Sequence, residues 1–276
     1  MSPIVSCSWL YQNRFDPRLV ILDTSIEFQI PTAPEQDKTN IIAGARRFDY
    51  DNVFCDPDNP LPHMMPDEAR FNQQARALGL NQDSLIVVYD NCGTYASPRA
   101  WWMLRAMGHQ EVYILDGGLT GWKNQDMPLT QAYQTPEAPG DFAGRLQEKY
   151  FVSADYVLQQ ISDRASQTLD ARSFERFSGQ VPEPREGLRS GHIPGAANFP
   201  FVQVMDQHCF KSAEALKPIV SSALSDQVSE YIFSCGSGVT ACIILLAAYI
   251  CGYENLSVYD GSWTEWGQSQ HPLETT

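Results

Sequence analysis

Short apolar runs alternate with helical stretches along the 276-residue chain. Leu85-Ile86-Val87-Val88-Tyr89 is a continuous apolar run of a length that suits a strand buried on both faces of a parallel sheet. Pro98, at a plausible first-turn position, then opens a helical stretch that Gly108 stops. Val112-Tyr113-Ile114-Leu115 predicts the next strand, ended by Asp116-Gly117-Gly118. The second half repeats this order. A strand is predicted over 231–233, a helix over 240–251, a stop at Gly252 and a strand over 256–259, ended by Asp260-Gly261.

The two passages align without a gap at an offset of 144, which superposes Gly108 on Gly252, Asp116 on Asp260, Gly117 on Gly261, Thr120 on Thr264 and Trp122 on Trp266. Upstream, Val5-Ser6 answers Val152-Ser153, Leu22-Asp23 answers Leu169-Asp170, and Gly44-Ala45 answers Gly195-Ala196. The shared order of strand, loop, helix and Asp-Gly-x-x-Thr-x-Trp tail reads as a duplicated α/β domain. Each copy is expected to be a mostly parallel sheet flanked by helices. The boundaries expected are 1–128 for the first domain, 129–147 for a linker rich in Pro, Gln and Thr, and 148–276 for the second. Ligands in such sheets bind beyond the carboxyl ends of strands, which directs attention to the loops after Tyr89 and Phe233.

Composition narrows the function classes. The chain is 43% hydrophobic and 19% charged, which is globular composition. Its formal charge is −14, and no Lys/Arg cluster offers a local basic patch, so nucleic-acid binding is not expected. The most apolar run, 241–251, holds 11 residues, too few to span a bilayer, so no membrane partner is expected either. The beginning MSPIVSCSWL has neither the basic region nor the apolar core of a secretory signal, and a cytoplasmic location with reduced thiols is the expectation. The seven cysteines include no C-x-x-C pair, which argues against structural zinc; no metal or cofactor motif appears.

One loop carries chemistry. After the strand at 231–233 come Ser234-Cys235-Gly236-Ser237-Gly238-Val239-Thr240 and then the apolar helix. Gly236 and Gly238 let the backbone curl so that the N–H groups of the loop, through Val239 and Thr240, converge on one point. The helix adds the positive end of its dipole. A thiolate at Cys235 is favoured there, and an arriving anion is held by the same cup. Cys242 and Cys251 fall inside the helix and read as core. At the ungapped equivalent of Cys235 the first half has Asn91; Cys92, one position later, reads as a packed or spare thiol.

CGSGVTA at 235–241, GHIPGA at 191–196, the Asp-Gly tails and the tandem repeat resemble the two-domain rhodanese superfamily, and the serine-containing loop resembles its 3-mercaptopyruvate sulfurtransferase branch. The resemblance covers essentially the whole chain. It implies two tandem rhodanese-like domains, of which the second is active. It also implies a persulfide on Cys235 that carries sulfur from 3-mercaptopyruvate to a thiol or cyanide, with release of pyruvate. Thiosulfate as the main donor, or a non-enzymatic sulfur-carrier or regulatory module, are the alternatives. A thiol acceptor such as thioredoxin or a small thiol is chemically adequate. A phosphatase on the same kind of sheet needs an arginine six residues after the cysteine, where this chain has Ala241.

The resemblance further implies that Arg176 and Arg185, nine residues apart, hold the donor carboxylate, for which arginine is the natural bidentate partner. Arg172 reads as structural, with Asp170 its candidate partner. In thiosulfate-preferring relatives the residues after the cysteine are basic; Gly236 and Ser237 here are neutral, which favours a monoanionic donor. Ser237 is a candidate proton relay. The relay is completed in the family by an Asp and a His, matched by FDYD…PHMMP to Asp51 and His63, with Asp49 the other possible register for the acid. His192 reads as structural, and Trp101-Trp102 as packing.

Overall fold

The computed structural model describes every residue except Met1 and Arg164. The chain divides into two units: Met1–Asp58, Met65–Gln147 and Met205–Phe210 form one, and Asn59–Met64, Glu148–Val204 and Lys211–Thr276 the other.

The first unit holds a five-stranded sheet in the order Ile4–Val5, Val112–Leu115, Leu85–Tyr89, Leu19–Asp23, Arg46–Arg47. Every pairing in it is parallel. The apolar run expected as a buried strand is the central strand Leu85–Tyr89, and all five of its residues are buried. The helix after it is Ser97–Ala106, with Pro98 in its first turn, where the missing N–H costs nothing. Trp101 and Trp102 are buried within it, as packing.

The second unit repeats this order: Phe151–Val152, Leu256–Tyr259, Glu230–Ser234, Ser166–Asp170, Ala197–Asn198, again all parallel. The helix after the central strand is Ala241–Ile250, and its residues from Ala241 to Ala248 are all buried. A helix apolar on every side packs into the core on all faces, and among the described residues no helix is long and apolar enough to cross a bilayer.

The segment expected as a linker is bound to the first unit rather than free. Leu129–Thr130 pairs antiparallel with Ile41–Ile42. Phe142 is buried, and the N–H of Gly140 and the carbonyl of Phe142 both bond Arg76. A short antiparallel pair, Met205–Asp206 with Cys209–Phe210, also belongs to this unit although it comes from the second half of the chain.

Candidate active site

In the second unit the central strand Glu230–Ser234 ends directly at Cys235. The loop 235–240 leads into the helix Ala241–Ile250. Gly238 has φ +76°, a conformation open to glycine and strained for other residues, so the curl of the loop depends on it. Cys235 is only 2% exposed, whereas Gly236, Ser237 and Thr240 are half-buried and form the outer rim. Among the described residues the N–H groups of Val239, Thr240 and Ala241 donate to no protein acceptor; they are the open end of the helix.

The first unit shows what such a loop holds. Strand pairing sets the equivalence: Asp23 pairs with Tyr89 as Asp170 pairs with Ser234. The next residues also match, because Leu119 N–H donates to the Asp90 carbonyl as Trp263 N–H donates to the Cys235 carbonyl. The counterpart of Cys235 is therefore Asp90, not Asn91. The ungapped alignment follows the helices, which do keep the offset of 144, but the loop of the first unit is one residue longer, so the register shifts between strand and helix. The Asp90 carboxylate accepts the N–H groups of Tyr95, Ala96 and Ser97, each at 2.9 Å, the Ser97 hydroxyl at 2.9 Å and the Cys92 N–H at 3.3 Å. Burial pushes this carboxyl up, against amides that favour its ionised form. The amides of Tyr95, Ala96 and Ser97 are the helix-register matches of Val239, Thr240 and Ala241. The amides that enclose a buried carboxyl group in the first unit are left open in the second, on the loop that follows a cysteine.

Cys92 is packed against the Asp90 carboxylate. It is buried, with its Sγ 3.4 Å from Asp90 Oδ1, and burial followed by the Asp90 charge pushes its thiol far up. Cys242 is buried and its Sγ donates to the Gly238 carbonyl at 3.3 Å, while burial raises Cys251. None of the seven cysteines forms a disulfide.

Both predicted arginines converge on the loop. A methyl group added at Gly236 would lie 3.4 Å from Arg176 Nη2 and 4.0 Å from Arg185 Nη1. Arg185 Nη1 donates to Thr264 Oγ1 at 3.1 Å. Arg176 donates from Nε (3.2 Å) and Nη2 (2.5 Å) to the carboxylate of Glu183, which is buried and is shared with Arg172 Nη1 at 2.8 Å. Arg172 is structural, as expected: it is buried, bonds both oxygens of Asp170, donates to the Gly191 carbonyl and lies 4.3 Å from the Trp263 ring. Burial opposes its charge, but Asp170 and Glu183 prevail and hold its pKa above the ordinary value. Arg172, Arg176 and Arg185 against Asp170 and Glu183 leave this cluster one net positive charge, with Arg176 and Arg185 its members nearest Gly236. Glu183 carried no motif signal, and its role appears only when the loop closes.

The remaining candidates lie elsewhere in the chain. Asp49 is committed to its own turn: its Oδ1 accepts the N–H groups of Asp51 (3.0 Å) and Asn52 (3.1 Å). Asp51 is half-buried in the first unit, and His63, with φ +63°, lies in the segment Asn59–Met64 that belongs to the second. His192 is buried, stacked on Phe177 with ring centroids 3.8 Å apart and bonded through Nδ1 to the Phe177 carbonyl, a structural placement. Among the described residues no group of His, Cys, Asp and Glu could hold a metal ion.

Comparison with known proteins agrees with this architecture. The family model for the rhodanese-like domain matches twice, at residues 6–125 and 153–269. The chain is 38% identical over 280 residues to the 3-mercaptopyruvate sulfurtransferase of Escherichia coli K12, covering 98% of this chain and 97% of the relative. It is 37% identical to the thiosulfate sulfurtransferase of Cricetulus griseus, with coverage of 99% and 94%. A crystal structure of a 3-mercaptopyruvate sulfotransferase from Escherichia coli superposes with a TM-score of 0.83 at 34% identity, covering 95% of this chain and 99% of the other. The Tum1 protein of Saccharomyces cerevisiae superposes with a TM-score of 0.87 at 28% identity, with coverage of 100% and 99%.

Proposed function

The chain belongs to the rhodanese family and is a sulfurtransferase, and on that premise we propose that it takes sulfur from 3-mercaptopyruvate onto Cys235 and passes it to a thiol or cyanide. The observation that carries this donor is the neutral Gly236-Ser237 rim set against a cluster of one net positive charge. A monoanionic carboxylate balances that charge; a dianion would leave an excess.

The Cys235 thiolate attacks the donor sulfur. An S–S bond forms, the C3–S bond breaks, and its electron pair passes into the pyruvate enolate, which takes a proton to become pyruvate. An acceptor thiolate then attacks the outer sulfur, leaves as its own persulfide and returns Cys235 as thiolate. Arg176 and Arg185 hold the carboxylate. Gly236, Gly238, Val239 and Thr240 form the wall and amides of the cup. Ser237 moves the protons, and Asp51 and His63 keep the proton-relay roles that the family resemblance gives them. The first unit, which takes most of residues 1–147, is the non-catalytic one, since Asp90 stands where the nucleophile would be, and the second unit, which takes most of 148–276, is the catalytic one. Thioredoxin or a small thiol serves as acceptor in a reducing, cytoplasmic setting, and neither nucleic acid nor membrane is a partner.

The test is mass spectrometry of the protein after one equivalent of 3-mercaptopyruvate without acceptor. A gain of one sulfur atom on Cys235 with stoichiometric pyruvate is the expected result. An unmodified Cys235 in folded protein overturns the proposal. The same protein assayed with thiosulfate gives the donor order, with mercaptopyruvate expected to have the higher kcat/KM.

A further inference from the structure

The tail Asp260-Gly261-Ser262-Trp263-Thr264-Glu265-Trp266 is the repeat motif that the reaction leaves without a role. Its helical turn, Ser262–Trp266, brackets the cysteine loop. Ser262 Oγ accepts the Cys235 N–H at 3.2 Å and donates to the Tyr259 carbonyl at 2.9 Å. Trp263 N–H holds the Cys235 carbonyl at 2.9 Å. Thr264 holds the Gly236 carbonyl twice, from N–H at 2.9 Å and from Oγ1 at 2.6 Å, and the same Oγ1 accepts Arg185 Nη1.

Two features separate this turn from its copy in the first unit. Ser262 has φ +50°, where the matching Gly118 has φ +49°. A left-handed conformation is natural for glycine and strained for serine. Strain of this kind persists where a side chain has a task that glycine cannot perform. The second feature is the bridge at Thr264: one hydroxyl joins an arginine of the donor clamp to the carbonyl that follows the nucleophile.

We infer that Ser262 and Thr264 are positioning residues for sulfur transfer. Ser262 fixes the amide of Cys235, and with it the direction of the thiol. Thr264 locks Arg185 to the cysteine loop, so that carboxylate and sulfur of the donor are held at a set spacing. The inference rests on the reading of Arg185 as a donor-binding residue.

The test uses Thr264→Val, Thr264→Ser and Ser262→Gly in the full chain, with steady-state kinetics, single-turnover persulfidation of Cys235 and Tm. Thr264→Val removes a hydrogen bond to a charged group at nearly constant volume, so KM for mercaptopyruvate is expected to rise about tenfold, and Thr264→Ser to restore it to within about twofold. Ser262→Gly relieves the backbone but removes the acceptor of the buried Cys235 N–H, so the two effects offset and Tm changes little while persulfidation slows about tenfold. Wild-type kinetics in both Thr264→Val and Ser262→Gly, or equal impairment in Thr264→Ser and Thr264→Val, overturns the inference. If Thr264→Val fails to fold, Ser262→Gly decides alone, with unchanged persulfidation the overturning result. A wild-type chain that forms no persulfide fails at the functional reading itself; an active wild type with unaffected variants fails only here.

Discussion

Asp90 and Cys235 end corresponding strands, and each is anchored through its carbonyl by the residue at the same place in its tail, Leu119 in one unit and Trp263 in the other. The loop following each strand presents amides to whatever the strand-end side chain carries. In one unit that is a carboxylate with all its partners built in; in the other it is a sulfur atom with three amides in reserve. One backbone device therefore follows both strands, with a carboxyl group at its head in one unit and a thiol in the other, and with one more loop residue in the first.

Cys235→Asp is accordingly expected to fold, because the amides of Val239, Thr240 and Ala241 can receive the carboxylate as those of Tyr95, Ala96 and Ser97 do. Thermal unfolding should show Tm near or above that of the wild type, with sulfur transfer abolished. A collapse of Tm would show that the two cups are not interchangeable.

Asp90→Ala removes the acceptor for four backbone amides in a buried site. Leaving buried donors unpaired costs about 1–3 kcal/mol each at most, and a total loss of about 2 kcal/mol or more is expected in urea unfolding. Catalysis per folded molecule should persist.

Arg176→Ala and Arg185→Ala should each raise KM for mercaptopyruvate by about tenfold or more, the consequence of losing a charge-assisted pair. Glu183→Gln should raise it less, because Arg176 keeps a partner but loses the carboxylate that orients both its nitrogens. Unchanged KM in both alanine variants would remove the arginines from the carboxylate.

Ser237→Ala should lower kcat while leaving KM within about twofold, since a relay acts on proton movement and not on ground-state binding. A rise in KM alone would make Ser237 a binding residue.

Stability should fall at high pH, with Cys7 and Cys209 of the first unit among the thiols responsible. Burial, reinforced by Asp116, raises Cys7 to about 11 and Cys209 to about 12, from an ordinary 9.0. The unfolded chain then loses these protons first. Their contribution is complete below pH 9.0 and is lost as pH rises through 11 to 12. Denaturant midpoints from pH 8 to 11 should show this decline, and Cys7→Ala should flatten it.

Much of this architecture was legible in residue order. The runs at 85–89, 112–115 and 256–259 are strands at those bounds, because an unbroken apolar run suits the middle of a parallel sheet. The helix after Cys235 follows from local pattern, and the pairing of Arg176 with Arg185 was implied by the family resemblance. The counterpart of Cys235 did not. A gapless alignment cannot detect one extra loop residue when strand and helix keep their own registers, and it chose Asn91. Glu183 and the hydroxyls of Ser262 and Thr264 were equally invisible, since each acts on a residue distant in the chain.

The order of residues alone determined the duplicated α/β plan, the strand-loop-helix around Cys235 and the neutral character of its rim, since these arise from hydrophobic periodicity, glycine freedom and charge, all local. Only the tertiary structure decided that Asp90 closes one cup, that Glu183 divides its charge between Arg172 and Arg176, and that Thr264 joins Arg185 to Gly236. Hydrogen bonds between distant residues depend on where strand pairing and loop length place their atoms, and that placement is a property of the folded chain.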